Sequence, residues 1–161
     1  MQSEAFKYPE DKLAMYRILK TQLQGLTDGV LHLTANLANA SALLNQALQD
    51  INWVGFYLLE GERLVLGPFQ GKPACIEIPV GKGVCGTAVS KDAVMLIKNV
   101  HEFPGHIACD SASNSEIVIP LHNKSGEIVG VLDIDSPHLA RFDEADQEGL
   151  IVFAQVLEQL F

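Results

Sequence analysis

Residues 115–134 read S-E-I-V-I-P-L-H-N-K-S-G-E-I-V-G-V-L-D-I. Two runs rich in Ile, Val and Leu flank the turn-forming Asn123-Lys124-Ser125-Gly126, the pattern of an antiparallel hairpin with strands over Ser115–Leu121 and Glu127–Ile134. Side chains alternate along a strand, so Asp133 and Asp135, on either side of Ile134, share one face. Glu116 lies near the start of the partner strand, and Pro137 stops the second. Upstream, W-V-G-F-Y-L-L at 53–59 and the run Arg63–Phe69 flank Glu60-Gly61-Glu62, a second hairpin. Ala74–Val80 alternates apolar and polar residues as a half-exposed strand does, and Ala93–Ile97 is a further apolar run. Hairpins imply an antiparallel sheet.

Helices occupy both ends. Pro9-Glu10-Asp11 opens the first, with Leu13, Tyr16, Leu19, Lys20 and Leu23 at helical spacing and Leu26 near its end. Gly25 and Gly29 bracket a break. Asp28 is the expected cap of a second helix over about 30–48, with Leu33, Leu37, Ala40, Leu44 and Ala47 as its apolar stripe. A short helix is expected over Thr87–Ser90. The last helix begins near Phe142 with Asp143 as cap and acids in its first turn, and buries Leu150, Phe153, Val156, Leu157 and Leu160. The expected architecture is α+β, an antiparallel sheet with the N- and C-terminal helices packed on one face. At 161 residues, 48% hydrophobic and 19% charged, one domain over 1–161 is expected.

A net charge of -9 with no basic run argues against nucleic acid and against an anionic membrane surface. No apolar run approaches the ~20 residues of a membrane span. The N-terminal M-Q-S-E-A-F-K-Y-P-E-D-K lacks the apolar centre of a signal peptide, so a cytoplasmic location is expected. Cytosolic thiols stay mostly reduced. The three cysteines, Cys75, Cys85 and Cys109, are therefore inert core thiols, metal ligands or redox groups.

Chemistry concentrates in residues 99–116, N-V-H-E-F-P-G-H-I-A-C-D-S-A-S-N-S-E. This loop carries Cys109, His101, His106, Glu102, Asp110 and Glu116. Its apolar Phe103, Ile107 and Ala108 place it against a core. Gly81-Lys82-Gly83-Val84-Cys85-Gly86 matches G-x-G-x-x-G, but the helix after it is too short for the crossover of a dinucleotide fold, roughly 10–12 residues or more. A tight turn that positions Cys85 is the better reading. Cys75, Cys85, His101, His106 and Cys109 are candidate zinc ligands without a C-x-x-C pair, which leaves metal binding a minority reading. Thiol redox chemistry explains more. A thiol that reduces an oxidised substrate becomes a sulfenic acid, which a second thiol condenses with to form a disulfide. Cys109 is one attacker with two candidate resolvers. A carboxylate cluster of Glu116, Asp133 and Asp135, beside Trp53 and Tyr57, suits an ammonium group and raises the pKa of at least one member into the range of a proton donor.

Five runs then carry a resemblance: N-W-V-G-F-Y at 52–57, G-P-F-Q-G-K-P-A-C at 67–75, G-K-G-V-C-G at 81–86, H-E-F-P-G-H-I-A-C-D-S-A-S-N-S-E at 101–116 and V-L-D-I-D-S-P at 131–137. Over essentially the whole chain they resemble the free methionine-(R)-sulfoxide reductases, which are built on a GAF domain. The resemblance implies a cytosolic, often dimeric enzyme that reduces the free amino acid and takes electrons from thioredoxin, with no metal or organic cofactor. By motif match, Cys109 is similar to the family's catalytic thiol, and Cys75 and Cys85 to its resolving pair, with Cys75 the first choice. Trp53 resembles the cage for the substrate methyl group. Tyr57, Glu116, Asp133 and Asp135 resemble the ligands of the ammonium and sulfoxide. Asn99 stands where the family run often has Asp. The implied reaction is attack of Cys109 on the sulfoxide sulfur, with Asp135 or Glu116 protonating the oxygen. The rival reading is a non-catalytic GAF-type small-molecule sensing module that signals through its terminal helices.

Overall fold

A computed structural model of the chain describes residues 6–107 and 109–161; Met1–Ala5, part of the N-terminal run, and Ala108 lie outside them. Six strands form one antiparallel sheet in the order β3-β2-β1-β6-β5-β4. They are β1 (Trp53–Glu60), β2 (Arg63–Gly71), β3 (Glu77–Pro79), β4 (Met95–Ile97), β5 (Ser115–His122) and β6 (Ile128–Ser136). Both expected hairpins are present. The β5–β6 turn is set by Asn123, whose Oδ1 accepts from the N–H groups of Ser125 and Glu127, each at 3.0 Å, while Gly126 takes φ +81°. In the β1–β2 turn Gly61 takes φ +64°, where a glycine carries no steric penalty.

The sheet alternation separates two cores. Val54, Phe56, Ile117, Ile119, Leu121, Leu132 and Ile134 point to one face, against α1 (Lys12–Thr27), α2 (Leu33–Ala47) and α4 (Glu144–Glu158). These three helices carry the stripe of Leu19, Leu23, Leu37, Leu44, Leu150, Phe153 and Leu157, all fully buried. A Cβ at Gly149 would collide with the Tyr16 ring, so α1 and α4 cross closely there. The same junction buries a polar network: the Tyr16 hydroxyl donates to Asp146 Oδ1 at 2.7 Å, and Lys12 Nζ donates to Asp146 Oδ2 at 2.7 Å. The opposite face carries Trp53, Tyr57, Val118 and Val131, and packs on α3 (Gly83–Lys91) through Val84, Cys85, Ala88 and Val89. The acids of β5 and β6 lie on this second face.

The terminal helices thus share one face as expected. Several boundaries differ. α3 runs for nine residues rather than four, because its glycine-containing start folds directly into helix: Gly86 N–H donates to Lys82 O. Asp28 does not cap the second helix. It ends α1, and Gly29, at φ +70°, turns the chain into an extended Val30–His32 before α2 starts. Asp143 does cap α4, in a reciprocal capping box with Asp146. No helix among the described residues is long and apolar enough to cross a membrane.

Candidate functional site: a disulfide beside a carboxylate cavity

Register builds the site. β1, β6 and β5 place Trp53, Asp135 and Glu116 in one cross-strand row, Trp53 opposite Asp135 and Asp135 opposite Glu116. Two residues along, on the same face, come Gly55, Asp133 and Val118. Gly55 is required there, because a Cβ would run into Phe69 on β2. α3 covers this face and presents Cys85 to the acids. The ligand-capable atoms of Cys85, Glu116 and Asp133 all lie within 4.8 Å of one another.

The loop between β4 and β5 closes the other side. Its base is clamped by Asn114: the backbone N–H donates to Ser136 O, Nδ2 donates to Pro137 O, each at 2.7 Å, and Oδ1 pairs with His101 Nε2 at 2.8 Å. Asn52, just before β1, holds the segment between Cys109 and Asn114, with Nδ2 donating to Asp110 Oδ2 at 3.0 Å and to Ser113 Oγ at 3.1 Å. Between these anchors Cys109 is joined to Cys75 by a disulfide with Cα atoms 5.5 Å apart. Cys75 is held in turn by the Tyr57 hydroxyl, which donates to its carbonyl at 3.1 Å.

A cavity of about 40 Å³ lies between α3, the loop and the sheet, bordered by Cys85, His106, Cys109, Glu116, Asp133 and Asp135 among others. A second, of about 20 Å³, is bordered by Trp53, Pro73, Ala74, Cys109, Asp110 and Asp135. Cys109, Asp110 and Asp135 belong to both and stand between them. This is room for a few water molecules and not for an amino acid. In the disulfide form the loop fills the space between the aromatic and the acidic ends of the site.

The electrostatics divide the acids by role. Burial, then the neighbouring Asp133, pushes Glu116 and Asp135 well above the usual carboxylate range. Burial also raises Asp133, but hydrogen bonds from Glu116 and Cys85 favour its ionised form. Of the three, Asp133 is the member whose hydrogen bonds oppose the rise, so it is the first of the cluster to ionise. Among the described residues Asp133 Oδ1 is a buried acceptor with no hydrogen-bond partner, and Asp133 borders the larger cavity. Cys85, 4% exposed, has its thiol raised by burial and then by Asp133, so it sits as a neutral S–H.

The sequence-nominated residues are brought together, with qualifications of position. Trp53 is buried, stacked between Tyr57 and Phe69 with ring centroids 5.8 and 5.2 Å away, and its Nε1–H donates to Lys72 O. It borders the smaller cavity. Tyr57 does not border either cavity; its hydroxyl serves Cys75. The five nominated zinc ligands do not converge, since Cys75 and Cys109 are bonded to each other and His101 is held by Asn114. Among the described residues, those that can offer a cation three ligands are instead Cys85, Glu116 and Asp133. Asn99 caps the short 3-10 turn Val100–Glu102, its side chain accepting from His101 N–H at 3.0 Å, and it does not reach the cavity. Asn52 and Ser113 were not nominated from sequence. Nothing in their local pattern marks them, although Asn52 heads the N-W-V-G-F-Y run.

The chain is similar along nearly its whole length to known proteins. Residues 23–160 match the model of the GAF domain. The free methionine-R-sulfoxide reductase of Escherichia coli is 55% identical over 150 residues, which cover 93% of this chain and 90% of that protein. The crystal structure of the Neisseria meningitidis free methionine-R-sulfoxide reductase in complex with its substrate superposes with a TM-score of 0.92 at 44% identity, covering 99% of this chain and 96% of that one. The reduced Staphylococcus aureus enzyme does so with a TM-score of 0.87 at 54% identity, covering 91% and 95%. A disulfide-bearing loop set over a buried acid cluster on a GAF sheet, in a chain this close to those enzymes, makes it a member of the free methionine-R-sulfoxide reductase family.

Proposed function

We propose that this protein reduces free L-methionine (R)-sulfoxide to methionine, working as a single GAF unit in the cytoplasm, as a homodimer, and drawing electrons from thioredoxin. The observation that carries the reading is that Cys109, disulfide-bonded to Cys75, borders the same cavity as Asp133, whose Oδ1 has no hydrogen-bond partner among the described residues. It supplies a redox couple and an ammonium acceptor within one site. The close relationship to the Neisseria enzyme solved with its substrate supports the same substrate class here.

The reaction starts from the reduced protein, in which the Cys109 loop is no longer tied to Cys75 and the space it fills opens to the substrate. The α-ammonium donates to Asp133, the S-methyl group lies toward Trp53, and the sulfoxide oxygen meets a protonated carboxyl of Glu116 or Asp135. Cys109 attacks the sulfoxide sulfur as that acid protonates the oxygen. The hydroxyl oxygen then passes from the substrate sulfur to Cys109 Sγ as the new Sγ–S bond breaks with its electron pair going to the substrate sulfur, so methionine departs and Cys109 is a sulfenic acid. The Cys75 thiol then attacks Cys109 Sγ, releasing water and forming the disulfide. Two electrons and two protons from thioredoxin restore both thiols. Cys85 stays outside this exchange. Its buried, acid-flanked S–H is held neutral, which suits it to line the pocket rather than to act as a nucleophile.

The test is NADPH consumption coupled through thioredoxin reductase and thioredoxin, with free R- and S-methionine sulfoxide supplied separately. Turnover with the R epimer alone is expected. Absence of turnover, with the disulfide shown to be reducible, overturns the reading and favours the sensing module.

A further inference from the structure

We propose that the exposed isoleucines Ile76 and Ile107, which bracket the Cys75–Cys109 bond, form the docking surface for the protein dithiol that reduces it, and that this partner attacks at Cys75. The proposal rests on reading the disulfide as the oxidised state of the reaction cycle. Single exposed apolar side chains are ordinary on protein surfaces, so exposure alone decides nothing. Position does. Ile76 is 71% exposed and follows Cys75 directly; Ile107 is 37% exposed and lies two residues before Cys109. The core does not need Ile76, because Ile78 two residues on is the one buried beneath α3. Nor is its segment loose: the Ile76 carbonyl accepts from Leu66 N–H at 2.9 Å, and the Cys75 carbonyl accepts from Tyr57. The backbone is pinned and the side chain is turned out. Ile107 is likewise seated, against Gly83 at the start of α3, where an added Cβ would meet it at 3.2 Å. The bond is therefore presented on a firm mount with an apolar side chain on each flank.

A protein dithiol has to bring one sulfur into line with the S–S bond, which brings its surroundings onto these residues and removes water from them. Two isoleucines give such an encounter modest affinity, as suits a partner that leaves after one exchange. Charge selects the sulfur. Cys109 is followed directly by Asp110 and shares the larger cavity with Asp133, whereas Cys75 follows Lys72, Pro73 and Ala74. An incoming thiolate meets less repulsion at Cys75. Its electron pair forms the bond to Cys75 Sγ, the Cys75–Cys109 bond breaks, and Cys109 leaves with the pair and takes a proton. The partner's second thiol then attacks its own sulfur in the mixed disulfide, which frees Cys75 and leaves the partner oxidised.

The experiment uses the oxidised full-length protein, with no methionine sulfoxide present, and follows thiol appearance by quenched alkylation and mass spectrometry. Reduction by thioredoxin is compared with reduction by dithiothreitol. Ile76→Asp should slow thioredoxin about tenfold or more, the scale of losing one interface anchor, and leave dithiothreitol's rate unchanged. Ile107→Asp should also slow thioredoxin, and Ile76→Leu should restore the rate. A thioredoxin variant lacking its second cysteine should be trapped on Cys75. An unchanged thioredoxin rate in Ile76→Asp, an equal fall with dithiothreitol, or trapping on Cys109 overturns the proposal. Because no substrate enters the assay, such a failure is separate from any failure to turn over methionine sulfoxide.

Discussion

Asp133→Asn isolates the contact that reads the free amino group. The substitution keeps the shape of the side chain and removes its charge. Asp133 Oδ1 is buried with no hydrogen-bond partner among the described residues, so its ionised form carries a desolvation cost that an arriving ammonium offsets. A hydrogen bond to a charged group contributes about 1.5–3 kcal/mol net. With each ~1.4 kcal/mol equal to a factor of ten, Asp133→Asn should lower kcat/KM for free methionine (R)-sulfoxide by about one to two orders of magnitude. Acetylating the substrate nitrogen removes the same contact from the other side, so the wild-type protein should lose at least as much on N-acetylmethionine (R)-sulfoxide, and more for the added bulk. The two changes form a thermodynamic cycle. In Asp133→Asn the acetyl group should cost only the bulk term, and the coupling between the two should fall within about 1.5–3 kcal/mol. The assay is coupled NADPH oxidation on both substrates with both proteins. A penalty for acetylation that is the same in the variant as in wild type would mean that Asp133 does not meet the ammonium, and the assignment would be withdrawn.

Three further outcomes are expected. Cys109→Ser should abolish methionine release, Cys75→Ser should release about one methionine per subunit and then recycle poorly, and Cys85→Ser should still form the 75–109 disulfide, all read by single-turnover product analysis and disulfide mapping. Glu116 and Asp135 have folded pKa values raised above their unfolded ones, so the fold holds protons that the unfolded chain has released once the pH exceeds about 4. Stability should therefore fall as pH rises from there through the folded values, and Glu116→Gln should flatten this slope in urea unfolding across the pH range. Gly149→Ala places a methyl group in the Tyr16 ring and should cost about 1–3 kcal/mol by overpacking, seen as a lower Tm.

Local pattern was enough for a good part of this protein. The period-two alternation of V-L-D-I-D assigns Asp133 and Asp135 to one face before any partner strand is known, and the Asn123–Gly126 turn, a backbone requirement of four adjacent residues, declares its hairpin. The helical stripes and the Asp143 cap are legible for the same reason: they depend on neighbours within one or two turns. Helix ends were less so. Asp28 has a capping side chain, yet the left-handed Gly29 beyond it redirects the chain. The nine-residue α3 forms because it packs on the acid-bearing face of the sheet, a contact its own sequence does not declare. The site lay further still from sequence. Three cysteines allow three pairings, and only packing separates them: Cys85 is buried on the sheet-facing side of α3 beside Asp133, while Cys75 and Cys109, 34 residues apart in sequence, are bonded to each other. The row of Trp53, Asp135 and Glu116 depends on the register of β1 against the β5–β6 hairpin, elements far apart in the chain, and a slip of one residue would turn each acid to the opposite face. Asn52 and Ser113 acquire meaning only when the loop folds back onto them. Sequence by itself determined which groups face which way along each strand and helix, because those directions follow from backbone geometry. The tertiary structure alone decided which of them touch, which thiols bond and which carboxyl keeps its charge, because contact, burial and desolvation belong to the packed chain.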